Sequence, residues 1–205
     1  MDKLLALISE IGQDDDYDTV VRFGSAARSG SGLELRLEVS TFNLEASTRN
    51  LEVRCEDVLA YAIRDEAASS LALTSDHPLL WRFTHDSASA FFYGTPPDTY
   101  AAMGALYEAH RNAVGDWFSL ETHLNDGIEL RKLLSGGNGL LAEGPLPLLT
   151  VYKDVLSRYG VEVEIRGPYP PGGTMSPPSV QSRLRSETKA LLIGDSYIIG
   201  VGWTA

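Results

Sequence analysis

A single cysteine, Cys55, stands in a chain of 205 residues. An intramolecular disulfide is therefore excluded, and so is a zinc site built from several thiolates. Positive charge is also scarce. Lys and Arg total 17 against 28 Asp and Glu, a formal net charge of −11. A phosphate backbone or an anionic lipid surface is repelled by such a chain at long range. No run of Lys or Arg builds a local basic patch, so neither nucleic acid nor membrane is expected as a partner. No apolar run approaches the length of a membrane span. The opening residues, MDKLLALISEIGQDDD, lack the basic flank, long apolar stretch and small-residue cleavage site of a signal peptide. The expected location is the cytoplasm. No repeat at solenoid periods is visible.

Glycine loops offer no nucleotide fingerprint. Gly24 is followed five residues later by Ser29, where a P-loop has Gly-Lys. Gly30 and Gly32 precede a strand, whereas a dinucleotide fingerprint follows one and opens a helix. No cofactor is expected.

What is present is an ordinary folding composition: 43% hydrophobic and 22% charged residues. A chain this long buries roughly 70% of its unfolded surface without staples. Leu33, Leu35, Leu37 and Val39 alternate with Glu34, Arg36 and Glu38. Period two with a charged outer side predicts a strand buried on one face. Residues 50–63 repeat the pattern, with Cys55 on the apolar side as a small core residue. Further strands are expected at 19–23, 70–74, 79–85 and 89–93. Leu4, Leu5, Leu7, Ile8 and Ile11 recur at helical spacing, predicting a helix over about 2–12. Thr95-Pro96-Pro97-Asp98 has the form of a capping box and opens a helix over 96–114. Helices are also expected at 128–135 and 147–159, a strand at 161–165, a Pro-rich loop at 167–182, and a hairpin from 189–193 and 197–203. The expected fold class is α+β. An N-terminal antiparallel sheet is backed by the 96–114 helix, and a smaller αβ portion ends in the C-terminal hairpin. The expected division is 1–126 and 127–205, either as two portions or as one continuous domain.

The chemistry-bearing residues are scattered. Gly194-Asp195-Ser196-Tyr197 follows an apolar strand and resembles the nucleophile block of the GDSL-type serine hydrolases. That family places its serine near the N-terminus and follows it with an oxyanion glycine and asparagine and an Asp-x-x-His pair. Nine residues follow Ser196 here, none of them His or Asn, and the chain holds no Asp-x-x-His. Strong turn formers between ALLI and YIIGVGW predict a hairpin there. Asp14, Asp16 and Asp18 have calcium-loop spacing, but Thr19 and Ser25 stand where the loop needs Gly and Glu. Of the histidines His77, His85, His110 and His123, His110 lies on an apolar helix stripe as a hydrogen-bonded core residue. His85, Glu121 and His123 form a metal set only if their segments converge, with Ser119, Glu121 and His123 on one face of a strand. Trp81, Phe83, Phe91, Phe92 and Tyr93 fall on adjacent predicted strands, mainly as core. Trp81 and Phe83 are candidates for an aromatic-lined cleft. Tyr169 and Pro170, within a PxxP spacing, are candidates for docking on a partner.

With no catalytic motif complete, the expected function is a soluble cytoplasmic, non-enzymatic protein-interaction module, an adaptor, inhibitor or chaperone-like protein. It predicts a protein partner. The alternatives are a small-molecule binding protein with an aromatic cleft, and a hydrolase or metal enzyme assembled only in space.

Overall fold

A computed structural model of the chain describes residues 2–13, 19–42, 47–64, 66–171 and 177–205. In chain order its elements are α1 (Asp2–Gln13), β1 (Thr19–Ser29), β2 (Gly32–Thr41), β3 (Ser47–Ala62), β4 (Ala67–Ala68), β5 (Leu71–Thr74), α2 (Trp81–Thr84), β6 (Ser87–Tyr93), α3 (Thr99–Val114), α4 (Leu130–Ser135), β7 (Asn138–Pro145), α5 (Leu146–Arg158), β8 (Glu162–Tyr169), α6 (Pro178–Glu187), β9 (Lys189–Ile193) and β10 (Ser196–Thr204). Single turns of 3₁₀-helix lie at Pro78–Leu80 and Leu120–Thr122. The fold is α+β. It divides into two compact units, residues 1–80 with 186–205, and residues 81–185. The boundaries therefore fall elsewhere than at 126/127, because the C-terminal hairpin joins the N-terminal sheet.

In the first unit, all pairings are antiparallel and the strand order is β4-β1-β2-β3-β10-β9-β5. β1 and β2 meet at Ser29↔Gly32. The turn between them is Gly30-Ser31, and Gly30 takes a φ of 62° that a side chain resists. The alternation in β2 holds: Leu33, Leu35, Leu37 and Val39 are buried. Their outward neighbours pair across strands, with Glu34 opposite Arg54 and Arg36 opposite Glu52 on β3. This checkerboard of charge keeps one face solvated and fixes register, since a one-residue slip would bury it. α1 adds Leu4 and Leu7 to the same core. Burial of each contributes roughly 1.5–3 kcal/mol. Arg49 of β3 donates to both carboxylate oxygens of Glu10, which ties the exposed side of α1 to the sheet.

β10 bulges at Ile199/Gly200 opposite β3. A Cβ at Gly200 would overlap Cys55 Sγ and lie 2.5 Å from the Asp57 carbonyl oxygen. Cys55 itself is fully buried and free.

The second unit is built on β6, the central strand of the order β7-β6-β8. Ala88, Ala90 and Phe92 point to its core side. Small alanines let α5 come close, and α5 adds Leu148, Leu149, Tyr152, Val155 and Leu156. α3 packs on α5 through Ala102, Leu106, His110 and Val114. Asp98 is the N-cap of α3, its carboxylate accepting from the Ala101 N–H at 3.0 Å. The helix therefore begins at Thr99, three residues later than the predicted 96, and Pro96 and Pro97 stay outside it.

Three further predictions are corrected. Residues 79–85 form no strand. Leu79 and Leu80 are buried side by side, which a one-faced strand cannot do, and the segment coils as a 3₁₀ turn followed by α2. The His77 ring and carbonyl accept from Leu79 N–H and Leu80 N–H, which starts the turn. The predicted strand through 119–123 is a 3₁₀ turn at Leu120–Thr122. The predicted loop at 167–182 is, in its described parts, the end of β8 and the start of α6. Residues 172–176 and the Asp14–Asp18 run lie outside the described residues.

Candidate functional site

The residues singled out from the sequence sit on several elements, Ser196 on β10, Trp81 and Phe83 on α2 and Tyr169 at the end of β8. Ser196 opens β10 and is fully buried, its Oγ accepting the Arg64 N–H at 2.9 Å. Ser196 pairs with Ile193 around Gly194-Asp195, the predicted hairpin turn. A nucleophile must be exposed to its substrate, and this hydroxyl is closed off. Trp81 and Phe83 lie on α2, both half-buried, with Trp81 packed against the second unit's core. Tyr169 is exposed at the end of β8 opposite Ser87, next to the half-buried Pro170.

His85 is exposed and hydrogen-bonds to Thr84 Oγ1 at 2.9 Å. Glu121 points to solvent, whereas His123 is half-buried with Nδ1 at 3.2 Å from the Glu143 carbonyl. The 3₁₀ turn has separated these two side chains. Among the described residues no three His, Cys, Asp or Glu groups gather as a metal ligand set. Burial holds the His77 and His123 rings below the usual histidine range.

Two buried polar groups are structural. His110 Nε2 lies 2.9 Å from the Phe118 carbonyl, and Nδ1 lies 2.7 Å from the Tyr152 hydroxyl. A carbonyl can only accept, so Nε2 carries a proton, and Tyr152 occupies the other ring nitrogen. Desolvation pushes the Tyr152 phenol up. Cys55 Sγ lies 3.6 Å from the Asp57 and Val201 carbonyls. Burial pushes its thiol up to about 11. A protonated, enclosed thiol is a poor nucleophile.

The outward face of the small sheet is a closed network. Arg166 makes a two-pronged contact with Glu164 and donates to the Tyr93 hydroxyl at 3.0 Å. Its guanidinium also lies 4.4 Å from the Phe91 ring centre.

A groove lies in the second unit. Met103 and Tyr107, one turn apart on α3, form one wall. Leu120, Leu124, Ile128 and Leu130 form the floor and opposite wall, enclosing about 520 Å³. Tyr107 and Ile128 keep 52% and 49% of their surface exposed, high for such large apolar groups. The segment under the groove is held firmly. Leu124 bridges Ala142 on β7, Asn125 N–H donates to Leu141 O, and the Asn125 side chain donates to Leu140 O. Asn125 Oδ1 also accepts from Gly127 N–H at 2.9 Å. The charged lining consists of Glu121, Asp126 and Glu129, without a Lys or Arg. Glu129 meets Arg131 and Lys132, which lie outside the lining.

A second cleft, of about 780 Å³ in the first unit, runs along the charged checkerboard. Leu35, Leu51 and Val53 line it together with Lys3, Glu34, Arg36, Glu52 and Arg54. Neither cavity is lined by Trp81 or Phe83.

Sequence reasoning missed the groove. Met103 and Tyr107 fall at helical spacing with Leu106, His110 and Val114, the pattern of a helix's apolar stripe. The available signal was the adjacent segment Leu124-Asn125-Asp126-Gly127-Ile128, where turn formers leave an isoleucine stranded. No helix among the described residues is long and apolar enough to cross a membrane. No protein-family model, no curated protein and no solved structure matches the chain.

Proposed function

We propose that this chain is a non-enzymatic protein-interaction module whose contact surface is the groove between α3 and residues 120–130. One observation carries the reading: Tyr107 and Ile128 line the same groove as large, half-exposed apolar groups, next to a segment pinned to β7 through Leu124. A preformed apolar cleft with a polar rim is the form that protein anchors fill. The catalytic alternatives have less support, since Ser196, Cys55 and His110 are enclosed. The small-molecule alternative with an aromatic cleft also has less. The first unit's cleft has no aromatic lining, and its Glu34 and Arg54 face each other at 3.8 Å.

The test places the photo-crosslinking amino acid benzoylphenylalanine at position 128 in cells of the natural source. A discrete crosslinked product is expected, and Tyr107→Glu should remove it while circular dichroism stays unchanged. Products that persist in Tyr107→Glu would show that the groove is not the contact.

A further inference from the structure

We infer that the groove receives a basic amphipathic helix, an inference that rests on the docking role proposed above. Three features of the site lead to that occupant.

The first is charge. The carboxylates of Glu121 and Asp126 border the apolar floor, Glu129 being engaged by Arg131 and Lys132, and no cation shares the lining itself. A partner with carboxylates beside its anchor would meet like charge at short range, whereas Lys or Arg there would be steered in. The unit that holds the groove is itself mildly acidic, with nine Lys and Arg against eleven Asp and Glu, which adds a little attraction at long range.

The second is the state of the backbone. An extended peptide docks by adding to a free strand edge. The edge of β7 next to the groove is already used. Leu124 bridges Ala142, Asn125 N–H donates to Leu141 O, and Glu143 N–H donates to His123 O. An extended chain lying in the groove would find these partners taken. A helix satisfies its own backbone and needs only side-chain contact.

The third is spacing. Met103 and Tyr107 sit four residues apart on α3, a ridge of one helical turn. Such a ridge packs into the matching groove of a second helix. The groove has a volume of about 520 Å³. Two anchors at i and i+4 on the incoming helix, one beside Tyr107 and one over Leu124 and Ile128, suit it.

The test uses the purified full chain and two labelled synthetic peptides of about 14 residues, long enough to reach helical form on binding. Both carry Leu at helical spacing. One has Lys at the remaining positions and the other has Glu. By fluorescence anisotropy the Lys peptide is expected to bind at least about tenfold more tightly than the Glu peptide. Raising salt from about 50 to about 500 mM should weaken it. Tyr107→Glu and Ile128→Asp, both at exposed positions, should each abolish binding. Glu121→Lys combined with Asp126→Lys should reverse the preference.

Equal binding of the two peptides, both lost in Tyr107→Glu, would overturn the charge-selected partner and leave the docking role standing. Lys-peptide binding indifferent to Tyr107→Glu and Ile128→Asp would show attachment elsewhere on the acidic surface, and would overturn the inference. Failure of both peptides alongside a crosslinked partner at position 128 would mean that the partner is not a basic helix. Failure of both with no crosslink would remove the docking role as well.

Discussion

The two units handle charge and backbone in different ways. The first unit carries eight Lys and Arg against seventeen Asp and Glu, and the second carries nine against eleven. The more acidic unit is mostly sheet. It spends many of its charges on the outer faces of β2 and β3, where Glu34 meets Arg54 and Arg36 stands opposite Glu52 in register. Its precision lies in close backbone approach, as where Gly200 lies against Cys55 and Asp57. The second unit holds itself together by side chains between helices and a small sheet, with the His110–Tyr152 pair enclosed among leucines. It leaves an apolar groove open. A sheet covered in paired charge resists new neighbours, whereas a helix wall with half-exposed Met and Tyr invites one.

The contrast is broken most forcefully at Gly200. Gly200→Ala should destabilise the first unit by about 3 kcal/mol, because overpacking against backbone cannot be relieved by a rotamer change. Thermal melts check this, and a melting temperature within about 1 °C of the parent would show that the strands do not approach so closely.

The second unit should be most sensitive at its buried polar pair. Tyr152→Phe leaves His110 Nδ1 without its partner and should cost about 1–3 kcal/mol. Tyr107→Phe, at an exposed position, is the control and should be near neutral. Equal effects in denaturant titrations would remove the claim that the His110–Tyr152 bond holds the core.

Gly104 sharpens the comparison in the opposite direction. It lies exposed within α3, and a Cβ there meets nothing within 4 Å. Gly104→Ala should stabilise the second unit by about 0.5–1 kcal/mol through helix propensity. A loss in the same melts would show that α3 needs that glycine.

The smallest effect is a shared one. His77 in the first unit and His123 in the second are both held below the ordinary histidine pKa by burial. The unfolded chain then takes up protons first as pH falls. The stability these rings contribute is fully present above about pH 6.5 and is lost as pH drops through their lower folded values. Melts between neutral and mildly acidic pH should show this decline, and His123→Gln should flatten it. A decline unchanged in both His123→Gln and His77→Gln would assign the effect to carboxylates.

Much of the fold was legible in the chain. Period two over Leu33–Val39 specified β2, since only a strand puts every second side chain on one face. Gly194-Asp195 between two apolar runs specified the β9–β10 turn. The strand predicted at 79–85 failed because a run rich in Trp, Leu and Phe fits a buried turn as well as a strand. Burial of both Leu79 and Leu80, with His77 supplying the first acceptors, settled it as a coil. The candidate site was hardly legible. Tyr107 has the helical spacing of a core residue, and whether it is covered depends on where residues 120–130 run.

By itself the sequence determined the charge, the turns and the strands with one solvated face, because each of these depends on residues adjacent or two apart. Tertiary structure decided that the last hairpin completes the first sheet, that Ser196 and Cys55 are enclosed, and that Met103, Tyr107 and Ile128 stand around an open groove. Those outcomes depend on contacts between segments far apart in the chain, and local spacing carries no record of which segment covers which.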